Sequence, residues 1–247
     1  MLFRSGHAMR RAHSEALSSA MLALCSMDAW NSESGGKESV FDSFAAVVKA
    51  LGNGRRLELM ELMAQGEHSV ETLARMAGMG LTSTSAHLQT LKRAGLVRAR
   101  RERTSVLYQL AGDDVAELYT AAKRVALTRY PQLRQALDDY MGYSEAQAPG
   151  IDPSAVTSAM VVIDVRPRQE YEAAHFPAAI SMPQDELEER YRELPDGAEV
   201  VVYCRGELCR MAREAAAWLR ERGVDARAMD EGVVEWRATK GVTLSIA

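Results

Sequence analysis

Two cysteines and two arginines crowd into one short stretch of this chain, Cys204-Arg205-Gly206-Glu207-Leu208-Cys209-Arg210. Cysteine acts as a nucleophile or redox group through its thiolate, and a thiolate forms where amide donors and positive charge surround it. The flanking residues predict such surroundings. Val200, Val201 and Val202 form a continuous β-branched run, the pattern of a strand buried on both faces of a parallel sheet. From about Met211, the residues Ala212, Ala215, Ala216 and Leu219 recur at helical spacing, so the intervening loop delivers its amides to a helix N-terminus. Cys204 therefore stands at the carboxyl end of a strand, where loop amides, the helix dipole, Arg205 and Arg210 favour an anion. The expectation is a stabilised thiolate at Cys204, with Cys209, Arg205 and Arg210 completing the site. The competing reading is an inert packed thiol, which the flanking arginines and glycine do not suit.

Two more segments accompany the loop. One runs from Val161 to Pro183 and contains Asp164-Val165-Arg166, Glu170-Tyr171 and His175-Phe176-Pro177; the other is Met229 to Trp236. Together the three resemble the rhodanese domain, a sulfurtransferase fold in which one loop cysteine carries transferable sulfur as a persulfide. The resemblance covers roughly Ala155 to the end. It implies a parallel sheet flanked by helices, with Asp164-Val165-Arg166 closing the first strand. Ala174, Ala178 and Glu231 stand where the family pattern has glycines, which bears on loop detail more than on the fold.

The loop departs further from the pattern. Many single-domain rhodaneses have a basic residue near the loop's end, whereas this chain has Cys209 and then Arg210. Two thiols five residues apart around a tight anion-binding loop can approach each other. Cys204, five residues and then Arg210 is also the spacing of cysteine phosphatases and rhodanese-related arsenate reductases, in which the arginine would clamp a tetrahedral oxyanion. Those enzymes usually place histidine before the cysteine, where this chain has Tyr203. Sulfur handling or thiol sensing is therefore the leading reading, and oxyanion chemistry the alternative.

At 247 residues the chain has room for about two domains. Three cysteines make no disulfide framework; Cys25 has no cysteine nearby in sequence, and the loop pair fits a reducing cytoplasm. No segment approaches the roughly 20 apolar residues that cross a bilayer, and no convincing cleavage site follows the weak apolar stretch Ala20 to Cys25. Neither a membrane partner nor a cofactor is expected. The net charge of −4 hides an asymmetry: residues 41–142 carry 14 Lys and Arg against 11 Asp and Glu, and residues 143–247 carry 12 against 19. Such polarity suggests that the middle of the chain meets a polyanion. The organisation expected is an extension over residues 1–38, either a short amphipathic helix across Ala8 to Cys25 or disordered; a domain over 39–142; a linker over 143–154, marked by Pro149, Gly150 and Pro153; and a domain over 155–247.

The middle domain reads as helices, a β-hairpin and one long helix. Two helices join at Gly52-Asn53-Gly54, with Asn53 able to cap the second, and Ser69 caps a third. In a fourth, Thr84, Leu88 and Leu91 fall on the buried face. That leaves Thr82, Ser83, Ser85, Ala86, His87, Gln89 and Lys92 at or near the exposed side, a short polar face suited to a major groove. Leu96 to Leu110 reads as two strands around a basic tip bearing Arg98, Arg100, Arg101 and Arg103. An isolated hairpin of this kind would be merely solvated; directly after a recognition-type helix, its arginines are expected to contact phosphate or the minor groove.

Phe41 to about Tyr130 resembles the winged helix-turn-helix of ArsR-type bacterial repressors. The matching residues include Ala50-Leu51-Gly52 with Arg55-Arg56, Ser69 to Ala74, Ser85-x-His87-Leu88-x-x-Leu91-x-x-Ala94-Gly95-Leu96-Val97 and Tyr108-x-Leu110. The resemblance implies a homodimer, for which Val115, Leu118, Tyr119, Ala122, Val125 and Ala126 offer a stripe on a fifth helix read from Asp113 to Tyr140. Metal-sensing relatives carry Cys-x-Cys in the third helix or histidines in the fifth. This chain has neither, so no metal site is expected. The fold class expected is α/β overall in two domains: a mostly α winged helix-turn-helix, then a rhodanese-like parallel sheet flanked by helices. The function expected is a DNA-binding repressor whose rhodanese domain senses or transfers sulfur from a small donor, or responds to oxidant, through a persulfide on Cys204. The alternatives are a sulfurtransferase or arsenate reductase tethered to an ArsR-like module, and a passive interaction domain.

Overall fold

Side-chain caps start two of the helices. In a computed structural model, which describes residues 36–142 and 149–247, Asn53 accepts a hydrogen bond from the Arg56 amide and opens helix α2 (Gly54–Met63), which follows α1 (Lys37–Leu51). Ser69 likewise accepts from the Thr72 amide to open α3 (Val70–Met76). Helix α4 (Leu81–Arg93) buries Thr84, Leu88 and Leu91, as their spacing predicts. Strand β1 (His68–Ser69) pairs with β3 (Ser105–Leu110), which pairs in turn with β2 (Val97–Glu102), making a three-stranded antiparallel sheet whose hairpin is the wing. Val97, Tyr108 and Leu110 of this sheet are buried, as are Leu59, Met60, Leu73 and Leu88 of the helices. Arg103 turns the wing tip with a positive φ of 52°.

One expectation fails. The fifth helix does not run unbroken to Tyr140 but divides into α5 (Asp113–Arg129) and α6 (Pro131–Met141). Proline at 131 has no N–H to continue the ladder and forces the residue before it out of helical geometry; Tyr130 accordingly sits at φ −118°, ψ 93°.

The C-terminal half is a parallel four-stranded sheet in the order β5-β4-β6-β7, formed by β4 (Val161–Asp164), β5 (Ile180–Ser181), β6 (Val200–Tyr203) and β7 (Ala226–Ala228). All four residues of β6 are buried, as the valine run predicts. One face packs against α9 (Met211–Arg220) through Ala212, Ala215, Ala216 and Leu219, together with α8 (Leu187–Arg190). The other packs Val201 and Tyr203 against Val233 and Trp236 of α10 (Val233–Thr239). The short helix α7 (Arg168–Ala173) follows β4. Residues 49–247 form one compact unit. The expected helix over Ala8 to Cys25, Cys25 itself and residues 143–148 of the expected linker lie outside the described residues. Among those described, no helix is long and apolar enough to cross a membrane.

Candidate functional site

The cysteine loop leaves β6 at Tyr203 and enters α9 at Met211, so the loop amides converge beneath two sulfurs. Cys204 is 3% exposed and Cys209 is half-buried; both are free thiols. The Cys204 thiol donates to the Cys209 carbonyl oxygen at 3.3 Å. The two thiols titrate as a pair, so ionising one disfavours ionising the other. Burial and the neighbouring Cys209 push the Cys204 thiol well up. The Cys204 S–H, the Arg205 charge and backbone amides bring Cys209 down to about 6. The direction differs from the thiolate expected at Cys204: ionisation is favoured at the less buried sulfur.

The arginines also take different partners from those their spacing suggests. Arg205 turns onto the buried Glu170 of α7, with Nη2 2.8 Å from Oε1 and Nε 3.0 Å from Oε2, while its charge still reaches Cys209. Arg210 is exposed, pairs with Glu214 at 2.9 Å and lies over the Tyr140 ring at 5.5 Å. It does not enclose the loop as an oxyanion clamp would. Gly232 permits the close packing beneath the loop, since a Cβ there would lie 2.4 Å from the Cys204 carbonyl oxygen. The Glu235 carboxylate then accepts from the Gly232 amide at 2.9 Å and the Glu207 amide at 3.4 Å. Behind it, the buried Asp164–Arg166 pair at 2.6 Å is completed by Tyr203, whose hydroxyl donates to Asp164 at 2.6 Å.

Helices of the N-terminal half grip the loop's outer edge. Gln65, fully buried after α2, donates to the Arg205 carbonyl at 3.3 Å and accepts from Arg166 at 3.0 Å. Lys123 of α5 pairs with Glu207 at 3.1 Å and with Glu235. Leu208 packs on Leu127, Leu137 and Met141. Glu61 of α2 feels this crowding: burial, Cys209 and Glu235 push its carboxyl up to about 8. The sequence reading names none of Gln65, Lys123, Glu61, Glu170 and Glu235 as site residues. Lys123 did carry a signal, since it stands in the row Val115, Tyr119, Lys123, Leu127, whose other three members are buried.

On the helix expected to meet DNA, α4, Thr82, Ser83, Ala86, Gln89 and Lys92 are exposed, and Ser85 and His87 are half-buried. Gln89 donates to the Tyr108 hydroxyl at 3.0 Å. Arg98, Arg100, Arg101 and Arg103 are all exposed along β2 and the tip. Arg100 is held by Glu67, with Nε 2.8 and 2.7 Å from its two oxygens, and by Glu102 at 3.0 Å. Among the described residues no three His, Cys, Asp or Glu side chains converge as a metal site.

A winged helix with an arginine wing, joined to a parallel sheet with a strand–cysteine loop–helix, defines a two-part class of regulator. The model of the bacterial regulatory protein arsR family matches residues 53–99, and that of the rhodanese-like domain matches residues 151–239. The HTH-type transcriptional regulator Rv0324 of Mycobacterium tuberculosis is 42% identical over 211 residues, which span 81% of this chain and 90% of that protein. The chain therefore belongs to the ArsR-type transcriptional regulators that carry a rhodanese domain. Among solved structures, a homodimeric winged helix-turn-helix DNA-binding domain from Mycobacterium bovis is 49% identical, covering 40% of this chain and 91% of its own, with a TM-score of 0.37. A rhodanese-related protein from Thermoplasma volcanium is 20% identical, covering 40% of this chain and all of its own, with a TM-score of 0.37.

Proposed function

We propose that this regulator is a cytoplasmic repressor that binds a double-stranded operator as a homodimer and adjusts that binding through sulfur chemistry at Cys204 and Cys209. The observation that carries the reading is the position of the thiol pair. The loop holding it is also the segment gripped by Gln65, Lys123 and the Leu127–Leu137–Met141 cluster. A change of covalent state in the loop therefore acts directly on helices of the DNA-binding half. Leu118, Ala122 and Val125, exposed at i, i+4 and i+7 on α5, supply an apolar face for a second copy. Pairing would set two α4 helices about 34 Å apart, one turn of duplex.

The chemistry needs only the two sulfurs and a donor such as thiosulfate. Cys209, the thiolate, takes the Cys204 proton. The Cys204 sulfur attacks the donor's outer sulfur, the donor S–S bond breaks, and sulfite leaves with the electron pair, so that Cys204 holds a persulfide. The Cys209 proton then passes to the outer persulfide sulfur as Cys209 attacks the Cys204 sulfur, which forms the Cys204–Cys209 bond and releases hydrosulfide. The sulfane sulfur is the oxidant consumed.

The test compares binding to the chain's own upstream DNA in reduced, persulfidated and oxidised protein, beside turnover of thiosulfate and of arsenate. The expected result is an affinity that changes with sulfur state and slow or absent arsenate turnover. Identical affinity in all three states would make the rhodanese domain a tethered enzyme or a passive module.

A further inference from the structure

Five consecutive residues, Gln65 to Ser69, run from the cysteine loop to the wing, and three of them touch the rhodanese domain. Gln65 holds the Arg205 carbonyl and Arg166. Gly66 has φ 155°, and a Cβ there would come within 2.8 Å of the Ala173 Cβ on α7, so the chain passes closer to the other domain than any side chain allows. The Glu67 carbonyl accepts from Gln169 of α7 at 3.1 Å. His68 is buried, and its ring feels the charges of Glu170 and Arg205. At Glu67 the backbone thus belongs to the rhodanese contact while the side chain reaches the other way. Its carboxylate takes Arg100 through Nε and Nη2, the latter at 2.5 Å, and accepts from Gln109 at 2.7 Å. Arg100 and Gln109 stand on paired strands of the wing, Arg100 opposite Leu107 and Gln109 opposite Arg98.

We propose that Glu67 is an autoinhibitory latch: an internal carboxylate occupying a wing arginine in place of a DNA phosphate, held in register by the rhodanese domain through Gln169. A guanidinium chelated by a carboxylate is neutralised as a phosphate ligand, and the carboxylate itself repels the duplex. Arg101 and Arg103 have no such partner among the described contacts, so the latch subtracts one contact from the wing and leaves the rest. Displacement of α7 from the Gln65–Ser69 segment would free Arg100. This inference rests on the wing contacting phosphate, as in the reading above, and does not require the sulfur chemistry.

The experiment measures binding of the reduced full-length dimer to a duplex of unrelated sequence across a range of potassium chloride. E67Q should bind on the order of fivefold more tightly, with a log–log salt slope steeper by about 0.9, the value of one more phosphate contact. Q169A, which removes only the rhodanese hydrogen bond, should shift binding in the same direction by less, and it guards against a folding defect in E67Q. R100A should cost more affinity in the E67Q background than in the parent, a nonzero coupling in the double-mutant cycle. Parent-like affinity and slope in both E67Q and Q169A, or equal R100A costs in the two backgrounds, overturns the latch. If the paired R101A and R103A substitutions weaken binding while E67Q does nothing, the latch alone has failed. If those substitutions also change nothing, the wing does not touch DNA, and the latch falls together with that part of the reading.

Discussion

The wing and the cysteine loop are both short, arginine-rich connections, yet they spend their arginines in opposite ways. Arg98, Arg101 and Arg103 stand in solvent, and only Arg100 is chelated. In the loop, Arg205 is drawn inward onto Glu170, and Arg210 turns outward to Glu214 and Tyr140. A wing that meets DNA as proposed would keep its charges available, because the phosphates would arrive later as partners. A loop pressed between two domains must satisfy its charges internally, because an unpaired buried ion is costly. The same residue type is thus a ligand in waiting in one region and a structural brace in the other.

The largest effect expected on this contrast is at the thiol itself. Cys204→Ser should lose the sulfur-dependent change in operator affinity completely while still binding DNA when reduced. Cys209→Ser should accept one sulfur at Cys204 and form no internal bond, as peptide mass mapping would show. If Cys204→Ser responds to donor as the parent does, the loop is not the sensor. Next in size is the brace: Lys123→Ala strips Glu207 and Glu235 of their shared cation, and denaturant unfolding should register a loss of about 3 kcal/mol. A loss below about 1 kcal/mol would mean that solvent already screens the pair.

A smaller effect separates the regions by pH. Glu61 titrates at about 8 in the folded chain against an ordinary 4.5, so its neutral form stabilises fully below about 4.5 and that stability is lost as pH rises through about 8. Glu61→Gln should abolish this decline and be more stable than the parent at pH 8 by about 2 kcal/mol after allowing for solvent screening. Parallel stability curves for variant and parent over that window would place Glu61 in water. Cys209 runs with the opposite sign, since its lowered value makes the thiolate form as pH rises through about 6, and its alkylation should follow that midpoint. The smallest effect is at Ala178, which holds φ 59° where the rhodanese pattern has glycine. Ala178→Gly should raise stability by about 0.5–1 kcal/mol, and any loss would show that its methyl packs usefully.

Features that depend on near neighbours were legible in the sequence. The caps at Asn53 and Ser69, the Thr84–Leu88–Leu91 row and the buried Val200–Tyr203 strand follow from residues within one or two turns of one another. Pro131 was equally local, but the helix read from Asp113 to Tyr140 ran through it, where the chain instead divides into α5 and α6. What could not be read was partnership across the chain. Arg205 finds Glu170 35 residues earlier, Lys123 finds Glu235 112 residues later, and Gln65 finds Arg166 101 residues away. Charge placement on the two sulfurs followed from these, because relative burial and the set of nearby amides decide which thiol ionises.

Cys204, 3% exposed under a loop that α5 and α6 cover from outside, also fixes how quickly the protein can respond. A reagent must wait for the loop to open before it reaches the inner sulfur. The labelling rate of Cys204 should therefore rise with reagent concentration and then level off at the opening rate, whereas Cys209 keeps rising in proportion. Under the proposed sulfur chemistry, a regulator on that plateau would act as a clock: it would register how long a donor persists rather than how concentrated it becomes.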